Sequence, residues 1–139
     1  MKFNIPYSRV DCGGNEIKYV NRVIKSGWLT TGSVAFDLEK KFKKKLDIKY
    51  SISVNSCTSA LHLALDALGI GPKDNVLVPS LTFTSTAEVV RYMGANPIIT
   101  DVDYSSMNIT ADIIKKALTN NTKIKAVIVV HFGGNPAKV

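Results

Sequence analysis

From residue 50 onward the sequence alternates short apolar runs with helical patterns, and that rhythm restricts the fold more than any other feature. Ile52 and Val54 read as a strand, followed by the polar turn Asn55-Ser56-Cys57-Thr58-Ser59. Ala60, Leu61, Leu63, Ala64, Leu65, Ala67 and Leu68 then make a helix apolar on most of its circumference, the pattern of a buried helix. Gly69-Ile70-Gly71-Pro72 stops it. Residues 75–79 and 96–100 read as strands, each preceded and followed by helical patterns, with Thr110 capping a helix that carries Ile113, Ile114, Ala117 and Leu118. Residues 123–132 contain the run Ala126-Val127-Ile128-Val129-Val130, typical of a strand covered on both faces. The expected order βαβαβαβ calls for a parallel sheet with right-handed crossovers. In such sheets ligands sit beyond the carboxyl ends of the strands. The turns at 55–59, 80–86, 101–103 and 131–134 should therefore converge on one crevice.

The first of those turns has a chemistry of its own. A helix's first N–H groups lack partners within the helix, and the dipole adds partial positive charge, so the start of this helix can seat a phosphate. Ser and Thr are also ordinary N-caps, and the same turn would serve with no ligand at all.

Before residue 50 the pattern is helical. Residues 3–11 read as extended. Asn15 can cap a helix with Ile17, Val20, Val23 and Ile24 on one face and Gly27 as its stop. The loop Gly27-Trp28-Leu29-Thr30-Thr31-Gly32 holds the only tryptophan, whose ring is either a local staple or the wall of a pocket. A second helix at 34–46 carries Lys40, Lys41, Lys43, Lys44 and Lys45, with Lys49 just beyond, and Leu38, Phe42 and Leu46 supply its expected buried face.

Composition removes several function classes. With 45% hydrophobic and 21% charged residues over 139 positions, the chain is globular in composition. No apolar run reaches the roughly 18 residues of a membrane span, and the N-terminus has no apolar signal core, so no membrane partner is expected. Cys12 and Cys57 are too few for a disulfide framework, which makes a reducing cytoplasm the expected location. No Cys/His spacing suits a structural zinc. Within a net charge of +7 six lysines crowd residues 40–49, and no aromatic platform or reading motif accompanies them, so nucleic acid is not the expected partner. Neither GxGxxG nor GxxxxGK[ST] is present.

Taken in order, GWLTTG at 27–32, NSCTSALHLAL at 55–65, PSLTFTSTA at 79–87, GANP at 94–97, DVD at 101–103 and VHFGG at 130–134 resemble the DegT-type nucleotide-sugar aminotransferases. Those are pyridoxal-phosphate enzymes of the aspartate-aminotransferase fold, and the likeness spans essentially the whole chain. It implies an α/β fold: an incomplete three-layer α/β/α large domain of a fold-type I transferase, with a mostly parallel sheet. Residues 1–49 would be an N-terminal helical segment with a substrate-side loop, and 50–139 the first half of the cofactor-binding domain. By resemblance, Thr58 and Ser59 hold the phosphate of pyridoxal 5'-phosphate, and Phe83 lies against the pyridine face; on its own Phe83 reads as a core aromatic. Thr30, Thr31 and Gly32 resemble the loop near the sugar-nucleotide site, with Trp28 shaping it. His131 stands at a strand end, as a site-lining or a structural histidine, and His62 reads as core.

The resemblance further implies an amino-acid donor such as glutamate, a nucleotide-linked sugar acceptor, a homodimer with sites at the subunit interface, and work in polysaccharide biosynthesis. Family members run to more than twice this length. Their Schiff-base lysine and the acidic partner of the pyridinium nitrogen match no position here, so no catalytic residue is assigned. The expectation is an N-terminal portion, inactive alone and prone to association. Two other readings stay open: a dehydratase of the same family, with histidine for the lysine, and a non-catalytic phosphate- or nucleotide-binding module.

Overall fold

The computed structural model describes residues 6, 9–120 and 123–139; most of the extended segment expected at 3–11 lies outside them. The chain divides into two compact units, one within the first 53 residues and one from Val54 to Val139.

The first unit holds two helices. Helix α1 (Glu16–Ser26) starts after Asn15, whose side chain makes no capping bond, and ends at Gly27 in the left-handed conformation with φ 70°. Gly27 N–H bonds back to the Ile24 carbonyl, so the expected stop is realised. Helix α2 (Ser33–Leu46) ends at Asp47, also left-handed, and places Lys43, Lys44 and Lys45 in its last turn, where cations complement the helix dipole. Neither helix buries a residue. Leu38, Phe42 and Leu46 were expected to be inside and are instead about half exposed. Periodicity marks which face seeks cover; it does not supply the cover. Glu39 accepts from the Ser53 N–H at 2.8 Å and the Ser53 hydroxyl at 2.9 Å, which lowers its pKa from the ordinary value.

The second unit is built on three parallel strands in the order β2-β1-β3, with β1 (Asn75–Pro79) central, β2 (Asn96–Thr100) and β3 (Ile124–Val127) on its flanks. Helices α3 (Cys57–Ala67) and α4 (Ser85–Tyr92) cover one face. Val76 and Val78 project there with Leu65, Ile70, Val89, Val90, Ala95 and Ile128 into one core, as the two-residue period of a strand requires. Leu77, on the other face, is fully buried beside α5 (Ala111–Asn120). A cavity of about 340 Å³ remains there, lined by Leu77, Ile99, Ile113 and Ala117. The Thr110 hydroxyl accepts from Ile113 N–H at 3.4 Å and so begins α5 as expected. Among the described residues no helix is long and apolar enough to cross a membrane.

Four further expectations need correction. The strand expected at 50–54 does not form; Ile52 and Val54 are exposed, and no described strand offers the segment a ladder. The last strand is shorter than the apolar run, although Ile128 N–H still reaches the Leu77 carbonyl at 2.9 Å. Helix α3 is not buried all round: only Leu65 is, while Leu63 and Leu68 face out. His62 is accordingly not core; it is exposed, with its ring edge-on to Tyr92 at 5.8 Å.

The turn between α3 and β1 is tied electrostatically. Asp74 accepts from the Gly71 N–H at 2.9 Å and from Lys125 Nζ at 3.1 Å, and Lys125 Nζ also reaches the Gly69 carbonyl at 2.9 Å. The Gly71 N–H first, then Lys125, holds the Asp74 carboxyl below its ordinary pKa. Asp103 is lowered in the same way, chiefly by the Ser106 N–H. A carboxylate with a lower pKa folded than unfolded contributes stability that is complete above the unfolded value and lost as pH falls through the folded one. Urea midpoints should therefore drop below about pH 4, and Asp74→Asn and Asp103→Asn together should flatten that drop; an unchanged acid slope would contradict the two bonds.

Candidate functional site

The carboxyl ends of the parallel strands define one edge of the second unit. Helix α3 leads through a turn into the start of β1, so its own N-terminus lies towards the opposite, carboxyl end of that strand; α4 leaves β1 from the same end. The mouth of α3 and the turn at 80–84 thus share that edge. Ser80 N–H bonds to the Thr100 carbonyl at 2.8 Å, and its hydroxyl donates to Asp101 Oδ1 at 3.3 Å, joining the ends of β1 and β2.

At the α3 mouth Ser56 is the N-cap in extended conformation, its Oγ accepting from Ser59 N–H at 3.1 Å. Ser59 Oγ donates to Asn55 Oδ1 at 2.9 Å and lies 2.9 Å from Ser56 Oγ. Ala60 N–H closes the first helical bond to the Ser56 carbonyl. What remains are the N–H groups of Cys57 and Thr58, which have no acceptor among the described residues, with the Thr58 hydroxyl beside them. Two open N–H groups at the positive end of a helix dipole can receive an anion. The sequence marked the hydroxyl cluster but not its division of labour; Asn55 and Ser56, which brace the turn, carry the N-cap signal without saying which hydroxyl takes the cap.

Phe83 sits in the turn between β1 and α4 with 76% of its surface exposed, so it is not the core aromatic that its type suggests. Behind it Thr82 Oγ1 and Thr86 Oγ1 lie 2.8 Å apart. An uncovered ring on the same edge as an anion seat suits an aromatic phosphate ester, and a pyridine bearing a phosphate fits these residues. His131 follows β3, exposed, with Nδ1 accepting from the Ala137 N–H at 3.0 Å.

In the first unit Trp28 is both staple and wall. Its Nε1 donates to the Thr31 carbonyl at 3.0 Å, closing the 28–31 loop. The same ring lines a cavity of about 620 Å³ with Tyr19, Arg22, Leu29, Thr30 and Gly32. Gly32 is needed for this: a Cβ there would lie 2.5 Å from Trp28 Nε1. Gly32→Ala should displace the ring and collapse the near-ultraviolet circular dichroism of the single tryptophan; an unaltered spectrum would show the loop indifferent to that contact.

Residues 10–139 match the model of the DegT/DnrJ/EryC1/StrS aminotransferase family. The chain belongs to that family. Among solved structures, Spr1654 of Streptococcus pneumoniae, described as a sugar aminotransferase and solved in its PMP form, is 33% identical, with a TM-score of 0.84 over 96% of this chain and 33% of its own. An aminotransferase from Psychrobacter cryohalolentis is 36% identical, with a TM-score of 0.83 over 95% of this chain and 34% of its own. A GDP-4-keto-6-deoxymannose-3-dehydratase with a trapped PLP-glutamate geminal diamine is 27% identical, with a TM-score of 0.84 over 96% of this chain and 36% of its own. The chain thus spans about a third of the length of the family structures it matches. The three-stranded parallel sheet is a fragment of the fold-type I transferase architecture.

Proposed function

We propose that this chain is the N-terminal portion of a pyridoxal-phosphate-dependent aminotransferase that moves an amino group from an amino acid such as glutamate to a keto nucleotide sugar. The observation that carries the reading is the α3 mouth, two N–H groups without acceptors in a chain of this family. Cys57 and Thr58 N–H, the Thr58 hydroxyl and the Ser59 turn hold the phosphate, and Phe83 covers the ring. Trp28, Thr30, Thr31 and Gly32 line the sugar-nucleotide side, and His131 lines the crevice. The cofactor, when bound, supplies the electron sink for amino-group exchange; these residues anchor and orient it and move no proton. A homodimeric parent in cytoplasmic nucleotide-sugar metabolism, serving polysaccharide synthesis, completes the reading, and the exposed apolar faces of α1 and α2 support a partner surface. The dehydratase among the similar structures favours a second reading, in which the parent removes a hydroxyl from the sugar instead.

Calorimetry with pyridoxamine 5'-phosphate and with pyridoxamine tests the anchoring. The phosphorylated compound should bind the chain weakly and the other at least about tenfold more weakly still, the loss expected when charge-assisted bonds worth about 1.5–3 kcal/mol are removed. Equal affinities would overturn the anchoring; conversion of glutamate to its keto acid by this chain alone would instead overturn the expectation that the chain is inactive by itself.

A further inference from the structure

Asn108 has the lowest exposure of any buried polar side chain described, 2%, and both ends of its amide are engaged across the chain. Its Oδ1 accepts from Phe132 N–H at 2.9 Å, and its Nδ2 donates to the Asn135 carbonyl at 2.9 Å. Asn135 answers from the other side, donating Nδ2 to the Ser106 carbonyl at 3.1 Å. The loop that carries Asn108 is itself fixed: Ser106 N–H donates to Asp103 Oδ2 at 2.8 Å, Asp103 N–H to the Asn108 carbonyl at 3.0 Å, and Ile109 beside it is fully buried. Between the two points that Asn108 grips stand Gly133 and Gly134, with φ 60° and 81°, backbone with little stiffness of its own. A satisfied buried amide of this kind specifies one arrangement, because any other leaves its donor or acceptor unpaired.

The turn so held is the one that follows His131. Ala137 N–H donates to His131 Nδ1 at 3.0 Å. A backbone N–H can only donate, so Nδ1 carries the lone pair and the ring proton sits on Nε2. Nε2 has no partner among the described residues, and the ring is exposed.

We propose that Asn108 is a positioning residue: its two-point hold on the 132–135 turn fixes His131 as the Nε2–H tautomer and offers that N–H as a donor at the carboxyl edge of the sheet. That the acceptor is an oxygen of the phosphorylated pyridine rests on the reading given above.

The test is the nitrogen spectrum of the His131 ring in the labelled chain, recorded at alkaline pH, above the ordinary imidazole range. The unsubstituted chain should give the Nε2–H pattern. Asn108→Ala should give averaged tautomers with broadened Gly133 and Gly134 amides, while the β1 amides keep their positions. Should Asn108→Ala unfold the chain, Asn135→Ala, which removes only the bond to the Ser106 carbonyl, should give a partial shift in the same direction. Loss of stability alone would follow from deleting any buried amide; the tautomer would not. A proton on Nδ1 in the unsubstituted chain, or a tautomer indifferent to both substitutions, overturns the proposal. His131→Ala and Asn108→Ala should each raise the dissociation constant of pyridoxamine 5'-phosphate about tenfold, and the double variant no further, as for residues acting through one another; additive losses overturn the positioning role. If the unsubstituted chain ignores pyridoxamine 5'-phosphate while the tautomer depends on Asn108 as described, the positioning stands and the cofactor reading falls.

Discussion

Thr58→Asp will abolish binding of pyridoxal phosphate and of inorganic phosphate while leaving the second unit at least as stable as before. Thr58 is the second residue of α3, one of two whose N–H groups stand open at the positive end of the helix. A carboxylate in a first helical turn is stabilising, by about 0.3–1 kcal/mol at an exposed site. The same charge occupies the space that a phosphate needs and repels it, so affinity should fall by about a hundredfold or more, an electrostatic cost on the order of 3 kcal/mol. The opposite signs make the prediction sharp. A structural N-terminus with no ligand would gain the stability and have no affinity to lose. Thermal denaturation and equilibrium dialysis on the same samples separate the two, and retained phosphate binding in the variant would contradict the assignment.

The largest effect on stability should come from Leu77→Ala, which we expect to cost about 2–5 kcal/mol. Leu77 lies at the centre of the central strand and is fully buried, with Ile98 and Val127 as its partners in register on either side. The cavity already present beside α5 will not shrink around the missing atoms; it will grow. Against the 5–15 kcal/mol of a typical domain such a loss is a large fraction, and the variant's urea midpoint should fall accordingly. A loss below about 1 kcal/mol would mean that the face against α5 is not a packed core.

Which parts of this were visible in the sequence follows from how local each signal is. Gly27, Thr110 and the strands at 75–79 and 96–100 announce themselves through neighbours a few residues away, and they stand where expected. The strand at 50–54 fails because composition describes a segment's fitness for a ladder, while a ladder needs a partner. Leu63 and His62 fail for a related reason: an apolar circumference reports a demand for burial that the described elements do not meet. Trp28 could not be settled between staple and wall because it is both. Asn108 left no signal, since the groups it grips lie 24 and 27 residues downstream and nothing in the local pattern points to them. The hydroxyl cluster at 55–59 was readable as an anion seat, but its two open donors are backbone groups at Cys57 and Thr58, which carry no sequence signature.

The most direct test is an amide-resonance titration of the chain with inorganic phosphate and then with pyridoxal phosphate. Both should move the Cys57 and Thr58 amides first and along the same direction, and only the second should also move the Phe83 ring protons. Shifts centred elsewhere on the chain, or a Cys57–Thr58 pair that stays still while either compound binds, would contradict the account.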